Sequence, residues 1–380
     1  MIYLDHAATT GVKPEPVRRA VMQALQTLSA NPGRSGAGPG LKAAEMVYAC
    51  RKEAASFFGA PGPECVVFPL NCTQALNMVI KGVLRPGDEA VCTDMEHNAV
   101  ARPLYALEQR RQITVKRFCV VPGDSDATLG NLRKVLSEKT RLVVAVHASN
   151  VFGIRTPVEK IGALCRMYRI PFCIDAAQTA GVLPLSMENT GCDYLCAAGH
   201  KGLYGPMGTG LLIARNGEKL QTLLEGGTGN LSRSLSHPEE MPEHLESGTL
   251  NVPGIAGLLA GLRWVKGQRG LLEKEMGLCR QAWEGLHRMP GVKLYVPKPE
   301  ARFSAPVLSF NVGEKPSEQV AASLAKRGIL VRAGLHCAPL AHEKMGTLEN
   351  GTVRVSVSAF TRPGDVGALI QAIDKIRREN

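Results

Sequence analysis

Asp175 and Gln178 stand in DAAQ, directly after the apolar run IPFCID. That run reads as a strand, so a carboxylate and an amide reach its carboxyl end together, where open α/β sheets bind ligands. Further on, a second strand-like run, CDYLCAA, ends in Gly199-His200-Lys201 and passes into the glycine-rich loop GLYGPMGTG. Singly, the Asp is no more than a helix N-cap and the Lys a solvated cation. Together, a lysine fixed between a strand end and such a loop, opposite an aspartate, has the makings of a Schiff base with an aldehyde cofactor. A separate nucleophile is Cys337, in the Gly/Pro-bounded stretch Arg332-Ala-Gly-Leu-His-Cys-Ala-Pro, the one cysteine of eleven in a polar loop. Arg332 and His336 beside it are expected to lower its pKa and raise the thiolate fraction. His336, Cys337 and His342 have no further ligand cluster near them in sequence, so no metal site is expected.

The elements that must position these groups follow from the pattern. Between residues 60 and 215, short β-rich runs alternate with helical patterns, among them a helix from Thr73 to Gly82, another after His97 and a third over 158–168. This is the βαβ signature of a mostly parallel sheet flanked by helices. Ahead of it lie a helix at 14–29 and the loop NPGRSGAGPG. An irregular stretch over 226–254 closes the large unit. A long helix at about 255–288 follows, with strands near 291–297, 305–312 and 352–357 and helices at 316–327 and 363–377, a smaller α+β unit.

Composition bounds the function. The chain has 380 residues, 44% hydrophobic and 21% charged, the balance of an ordinary globular protein with room for two or three cores. Its net charge of +11 is scattered, with only 5% aromatics, which argues against a nucleic-acid groove and for an anionic cofactor or acidic partner. Eleven cysteines without a CxxC pair point to a reducing cytosol and a cytoplasmic protein. No apolar run approaches the ~18 residues of a membrane span.

DAAQ followed by HKGLYGPMGTG resembles the class V aminotransferase family of pyridoxal-phosphate enzymes, in its cysteine desulfurase and selenocysteine lyase branch. The likeness runs through YLDHAATT, NPGRSG, CTQALN, MEHNAV, SNVFG, ESGTLNVPG, VRAGLHCAP and TVRVSVSAF, in the family's order. It implies the fold-type I architecture, with a mostly parallel sheet of the seven-stranded type in a large domain over 13–249. A small α+β domain over 250–380 would carry the cysteine loop, and residues 1–12 would pack with it.

The resemblance also implies the roles. Pyridoxal 5'-phosphate would be bonded by Lys201, which later shuttles the substrate's Cα proton, while Asp175 keeps the pyridine nitrogen protonated. Gln178 and Asn150 would contact the ring's phenolic oxygen, Asn150 also the substrate, and His97 would stack on the ring as an acid or base. Asn71-Cys72-Thr73, opening a helix, offers amides and a hydroxyl to the phosphate, with His200 a second contact. Relatives commonly carry a serine three residues before the lysine; Ala198 removes that hydrogen bond. Thr249 would reach the phosphate of a neighbouring subunit in a homodimer. Arg354, with Arg332, would clamp the substrate carboxylate, and Arg34 and His6 would line the pocket mouth or lie on the surface. The implied reaction converts L-cysteine to L-alanine with a persulfide on Cys337, passed to an acceptor protein or thiol for iron–sulfur clusters or thio-cofactors. Selenocysteine lyase and another class V activity are the alternatives.

Overall fold

The computed structural model describes residues 1–32, 38–110 and 112–379, so Arg34 lies outside the described residues. The order begins β1 (Ile2–Tyr3), α1 (Glu15–Thr27), α2 (Gly38–Phe58), β2 (Val66–Val67), α3 (Cys72–Val83), β3 (Glu89–Thr93) and α4 (Asn98–Gln109). It continues with β4 (Thr114–Phe118), α5 (Ser125–Val135), β5 (Thr140–Val146), α6 (Val158–Tyr168), β6 (Phe172–Asp175), α7 (Met187–Thr190), β7 (Tyr194–Ala198) and β8 (Gly210–Ala214). The last third holds α8 (Val252–Lys266), α9 (Leu271–His287), β9 (Val292–Leu294), β10 (Val307–Val312), α10 (Ser317–Lys326), β11 (Ile329–Leu330), β12 (Arg332–Gly334), α11 (Pro339–Lys344), β13 (Thr352–Ser356) and α12 (Pro363–Arg378).

Seven strands form the central sheet in the order β2-β8-β7-β6-β5-β3-β4. From β4 to β7 neighbours are parallel, while β8 runs antiparallel to both β7 and β2. Running opposite to β8, β2 therefore points the same way as β7. Every strand but β8 thus delivers its carboxyl end to one edge of the sheet. The chain builds β3 and β4 outward and then returns to the other side of β3 with β5, so a topological switch point lies between β3 and β5, where ligands of such sheets bind. Leu142–Val146 and Phe172–Ile174 are buried on both faces, the reason they read as unbroken apolar runs.

Several expectations need correction. Helix α2 begins at Gly38, inside the stretch read as loop, because Gly40, Ala43, Val47, Cys50 and Ala54 form one buried face; packing supplies what the local sequence does not. Edge strand β4, TVKRF, is partly exposed and lacks the apolar pattern of its neighbours, so the sequence did not disclose it. The single long helix expected at 255–288 is two, parted at Gly267–Gly270, with Gly270 at φ +68°.

That break matters for domain organisation. Val252, Ile255, Leu258, Leu259 and Leu262 of α8 join the core of the large sheet, whereas Leu278, Cys279, Ala282 and Leu286 of α9 join the core of the C-terminal unit. After α8 the chain passes from the large core to the C-terminal one, and it returns to the large core at Ala338 and Ala341. The C-terminal unit is an antiparallel sheet, β12-β13-β10-β9, covered by α9, α10 and α12. The N-terminus belongs to the same packing: β1 pairs with β11, Leu4 enters that core, and Asp5 bridges Ser356. Among the described residues no helix is long and apolar enough to cross a membrane.

Candidate active site

At the carboxyl edge of the large sheet, a cavity gathers Asn71, Cys72, Thr73, His97, Asn150, Asp175, Gln178, Ala198, His200 and Lys201. Strand register explains the convergence. Val146, Asp175 and Cys196 are successive partners across β5, β6 and β7, so the segments that leave these strands carry Asn150, Asp175 and Lys201 to one place. From β3 the chain passes through Met95-Glu96 to His97, which caps α4 with Nδ1 accepting from the Ala99 amide at 3.0 Å. That bond leaves Nε2 to carry the proton of the neutral ring. Asn71 caps α3 through its side-chain oxygen, which accepts from the Gln74 amide at 2.9 Å. The Cys72 and Thr73 amides, at the start of α3, have no intrahelical partner and point the helix's positive end at the cavity.

Charge in the cavity is set mainly by burial. Asp175 is buried, and its Oδ1 accepts from the Ala177 amide at 2.9 Å and from the Cys72 thiol at 3.6 Å. Burial holds the Lys201 ammonium below the usual lysine range, with Asp175 opposing that shift and Arg354 and Arg332 reinforcing it. A lysine of lowered proton affinity is a better nucleophile and proton acceptor. His97 and His200 are both pushed down to about 4, burial again leading, so both are neutral at pH 7. The Gln178 amide donates to the Ala7 carbonyl at 3.0 Å, and His200 Nδ1 pairs with the Thr9 hydroxyl at 3.1 Å. Both ties run to the N-terminal segment.

Cys337, Arg354 and Arg332 stand around this cavity, outside its lining. Cys337 is exposed on the loop between β12 and α11. Its carbonyl accepts from the Asn98 amide at 2.7 Å, and the His336 carbonyl accepts from Asn150 Nδ2 at 2.7 Å. The thiol loop is therefore bonded to the cavity wall on two sides. His336 and Cys337 both sit in the left-handed region, at φ 50° and 56°, a strained pair for residues with side chains. Arg354 is buried beside the cavity, donating to the Asn150 carbonyl at 3.0 Å and pairing with Asp5 at 2.5 Å. Arg332 faces Arg354 across β12 and β13 and is exposed.

Three readings change here. His336 is buried and pushed down to about 2, first by desolvation and then by Arg354, so it is neutral and adds no charge beside the thiol. Cys119 is also exposed, with its sulfur 3.1 Å from Lys344 Nζ, so Cys337 is not alone among the cysteines in reaching the surface. His6 is buried rather than surface-placed, with Nε2 3.3 Å from the Ser358 hydroxyl. Thr249 is exposed and lies away from the cavity, lining a separate groove with Gly208, Ser247 and Leu250. The sequence reading assigned no role to Asp5, although it stands in YLDHAATT; the structure pairs its half-buried carboxylate with Arg354.

Similarity to known proteins agrees with this geometry. The sequence pattern of the class-V aminotransferases matches residues 2–369. The chain belongs to the class-V aminotransferase family. A relative named "Probable cysteine desulfurase" from Methanothermobacter thermautotrophicus is 31% identical, over 99% of this chain and 94% of its own. Among solved structures, the apo cysteine desulfurase of Thermococcus onnurineus superposes with a TM-score of 0.91 at 30% identity, covering 100% of this chain and 95% of that one. The S-sulfonic acid form of a cysteine desulfurase from Escherichia coli gives 0.87 at 26% identity, covering 98% and 94%.

Of this class-V aminotransferase, the donor set fits an anionic aromatic aldehyde such as pyridoxal 5'-phosphate. The free amides of α3, the Thr73 hydroxyl and His200 suit a phosphate, Asp175 a ring nitrogen, and Lys201 an aldehyde. Asn150 Oδ1, buried without a hydrogen-bond partner among the described residues, is a further polar group left for a ligand.

Proposed function

We propose that this chain is a cysteine desulfurase that uses pyridoxal 5'-phosphate to move sulfur from L-cysteine to Cys337. The observation that carries the reading is the coupling of the exposed Cys337 loop to the Lys201 cavity through Asn98 and Asn150. A loop that carried its cysteine by accident would have no reason to be tied to the cavity wall through its carbonyls in a strained backbone. When bound, the cofactor supplies an electrophilic carbon for the substrate amine and a ring that accepts negative charge from the amino acid's α carbon.

The chain's own groups do the rest. Lys201, held below its ordinary proton affinity, binds the cofactor, then takes the proton from the substrate Cα at Nζ and returns it. Asp175, buried and supported by the Ala177 amide, keeps the ring nitrogen protonated. His97, neutral with its proton on Nε2, lines the cavity where it would face the cofactor's ring and could pass a proton there. Arg354 and Arg332 orient the substrate by its carboxylate. The Cys337 thiolate attacks the substrate sulfur: the S–S bond forms as the substrate C–S bond breaks, the electron pair stays on carbon, and protonation there yields L-alanine. An acceptor protein or small thiol then takes the persulfide sulfur. Thr249, exposed and apart from its own chain's cavity, serves the partner subunit's phosphate in a homodimer. Eleven free cysteines suit a reducing cytoplasm.

Cys337→Ser tests this reading. The Asn98 bond goes to the backbone carbonyl, so folding and the visible absorption of the bound cofactor should survive. Alanine formed from cysteine in a single turnover should fall to background, and mass spectrometry should find one added sulfur on the residue-337 peptide of the parent only. Parent-like alanine yield from the variant would refute the reading, and turnover of selenocysteine alone would turn it to a lyase.

A further inference from the structure

Arg354 is only 2% exposed, and its guanidinium is unevenly satisfied. Nη1 donates to the Asn150 carbonyl at 3.0 Å and Nη2 to Asp5 Oδ1 at 2.5 Å, while Nε is buried with no partner among the described residues. Nε and Nη2 share one edge of the guanidinium, the edge that a carboxylate fills with two parallel bonds. Asp5 fills half of it. A buried donor left unpaired is costly, so a carboxylate reaching both nitrogens would gain what Asp5 leaves unmade.

Resting on the desulfurase reading, we propose that Asp5 is an internal carboxylate occupying the seat on Arg354 that the substrate's α-carboxylate takes, and that substrate binding displaces it. Asp5 is held by its backbone: its carbonyl accepts from the Ala8 amide at 3.1 Å and the Tyr3 hydroxyl at 3.1 Å, and the residue bridges Ser356 of β13. Its side chain thus reaches Arg354 from a fixed point and keeps 17% exposure, which gives it a path outward. Arg332 supplies the second charge. It lies directly across from Arg354 in the sheet and has no side-chain partner among the described residues. With the substrate seated, two carboxylates face two guanidiniums. Asp5 is therefore a positioning residue: it keeps Arg354 in place while the site is empty of substrate and sets the affinity for any carboxylate that replaces it. The segment that carries Asp5 also accepts from Gln178 at Ala7 and donates from Thr10 to the His200 carbonyl, so displacement is felt beside Lys201.

The test uses the cofactor-loaded protein, followed by its visible absorption, with two amines. L-Alanine carries the carboxylate and ethylamine does not. Asp5→Asn should tighten L-alanine about tenfold, as a competing charge is removed, and leave ethylamine within about twofold. Asp5→Glu, whose longer arm spans Nε and Nη2, should weaken L-alanine. Unchanged or weaker alanine binding in Asp5→Asn overturns the proposal, as does an equal shift for both amines. A third measurement needs no cofactor: acetate, but not chloride at equal ionic strength, should raise the melting temperature of Asp5→Ala and not of the parent. If neither amine perturbs the spectrum of any variant, the desulfurase reading fails, and the acetate comparison still decides the role of Asp5. An equal acetate effect in variant and parent overturns it.

Discussion

Replacing Asn150 by Ala removes a single donor from the Cys337 loop, and the structure sets the size of the effect. Asn150 Nδ2 is the donor to the His336 carbonyl, at 2.7 Å between two buried residues. Leaving that carbonyl unpaired costs about 1–3 kcal/mol. The Arg354 bond to Asn150 goes to the backbone oxygen and stays. Against the remaining anchor, Asn98 to Cys337, works the strain of two left-handed residues, about 1–2 kcal/mol each. Local opening should therefore become about 5- to 150-fold more frequent. Hydrogen exchange of the Asn98 amide, which is protected by the Cys337 carbonyl, reads this directly in protein without cofactor. Asn150→Asp, which sets an acceptor against the same carbonyl, should exchange at least as fast. Sulfur transfer to Cys337 should drop in both variants. Exchange of Asn98 within about twofold of the parent in Asn150→Ala would refute the anchoring argument.

Lys201→Ala should give a folded protein that lacks the visible absorption of covalently held cofactor and does not turn over; a parent-like band would assign the bond to another lysine. Stability should peak near pH 6.5. His6, His97 and His200 are lowered by burial from 6.5 to about 4, so below pH 6.5 the unfolded chain binds protons the folded one refuses and stability falls with acid. Buried Glu96 and Glu275 are raised from 4.5 to about 8, so their contribution is full below 4.5 and is lost as pH rises toward 8. The histidines outnumber them on the acid side, and above 6.5 the glutamates pull stability down until Lys13, lowered by burial to about 8, opposes them. Melting curves of the protein without cofactor from pH 4.5 to 8 check both limbs, and a monotonic rise would contradict the assignment of the glutamates.

The large sheet was legible where strands are buried on both faces. Runs such as LVVAV and IPFCID carry their own signal, and the helices between them have clear periodicity. Edge strand β4 and helix α2 were not, since one is half solvated and the other is held by packing against the core. Nor did the pattern show the break before α9, which hangs on two glycines that a helix of this length tolerates or not according to what each half packs on.

Residue types and their order brought a lysine and an aspartate to the carboxyl edge of a parallel sheet, because strand polarity sends every such end to the same side, while the phosphate role of the α3 start came from the family resemblance. They also singled out a cysteine in a loop that cannot be buried. The tertiary structure alone decided the charges and the ties. His336 is neutral because desolvation, not its neighbour in sequence, governs its proton. Asp5 meets Arg354 across 349 residues because β1 and β13 belong to one core. Proton affinities and ion pairs depend on what surrounds a group in space, and a chain that returns its first residues to its last strands keeps that information out of any local window.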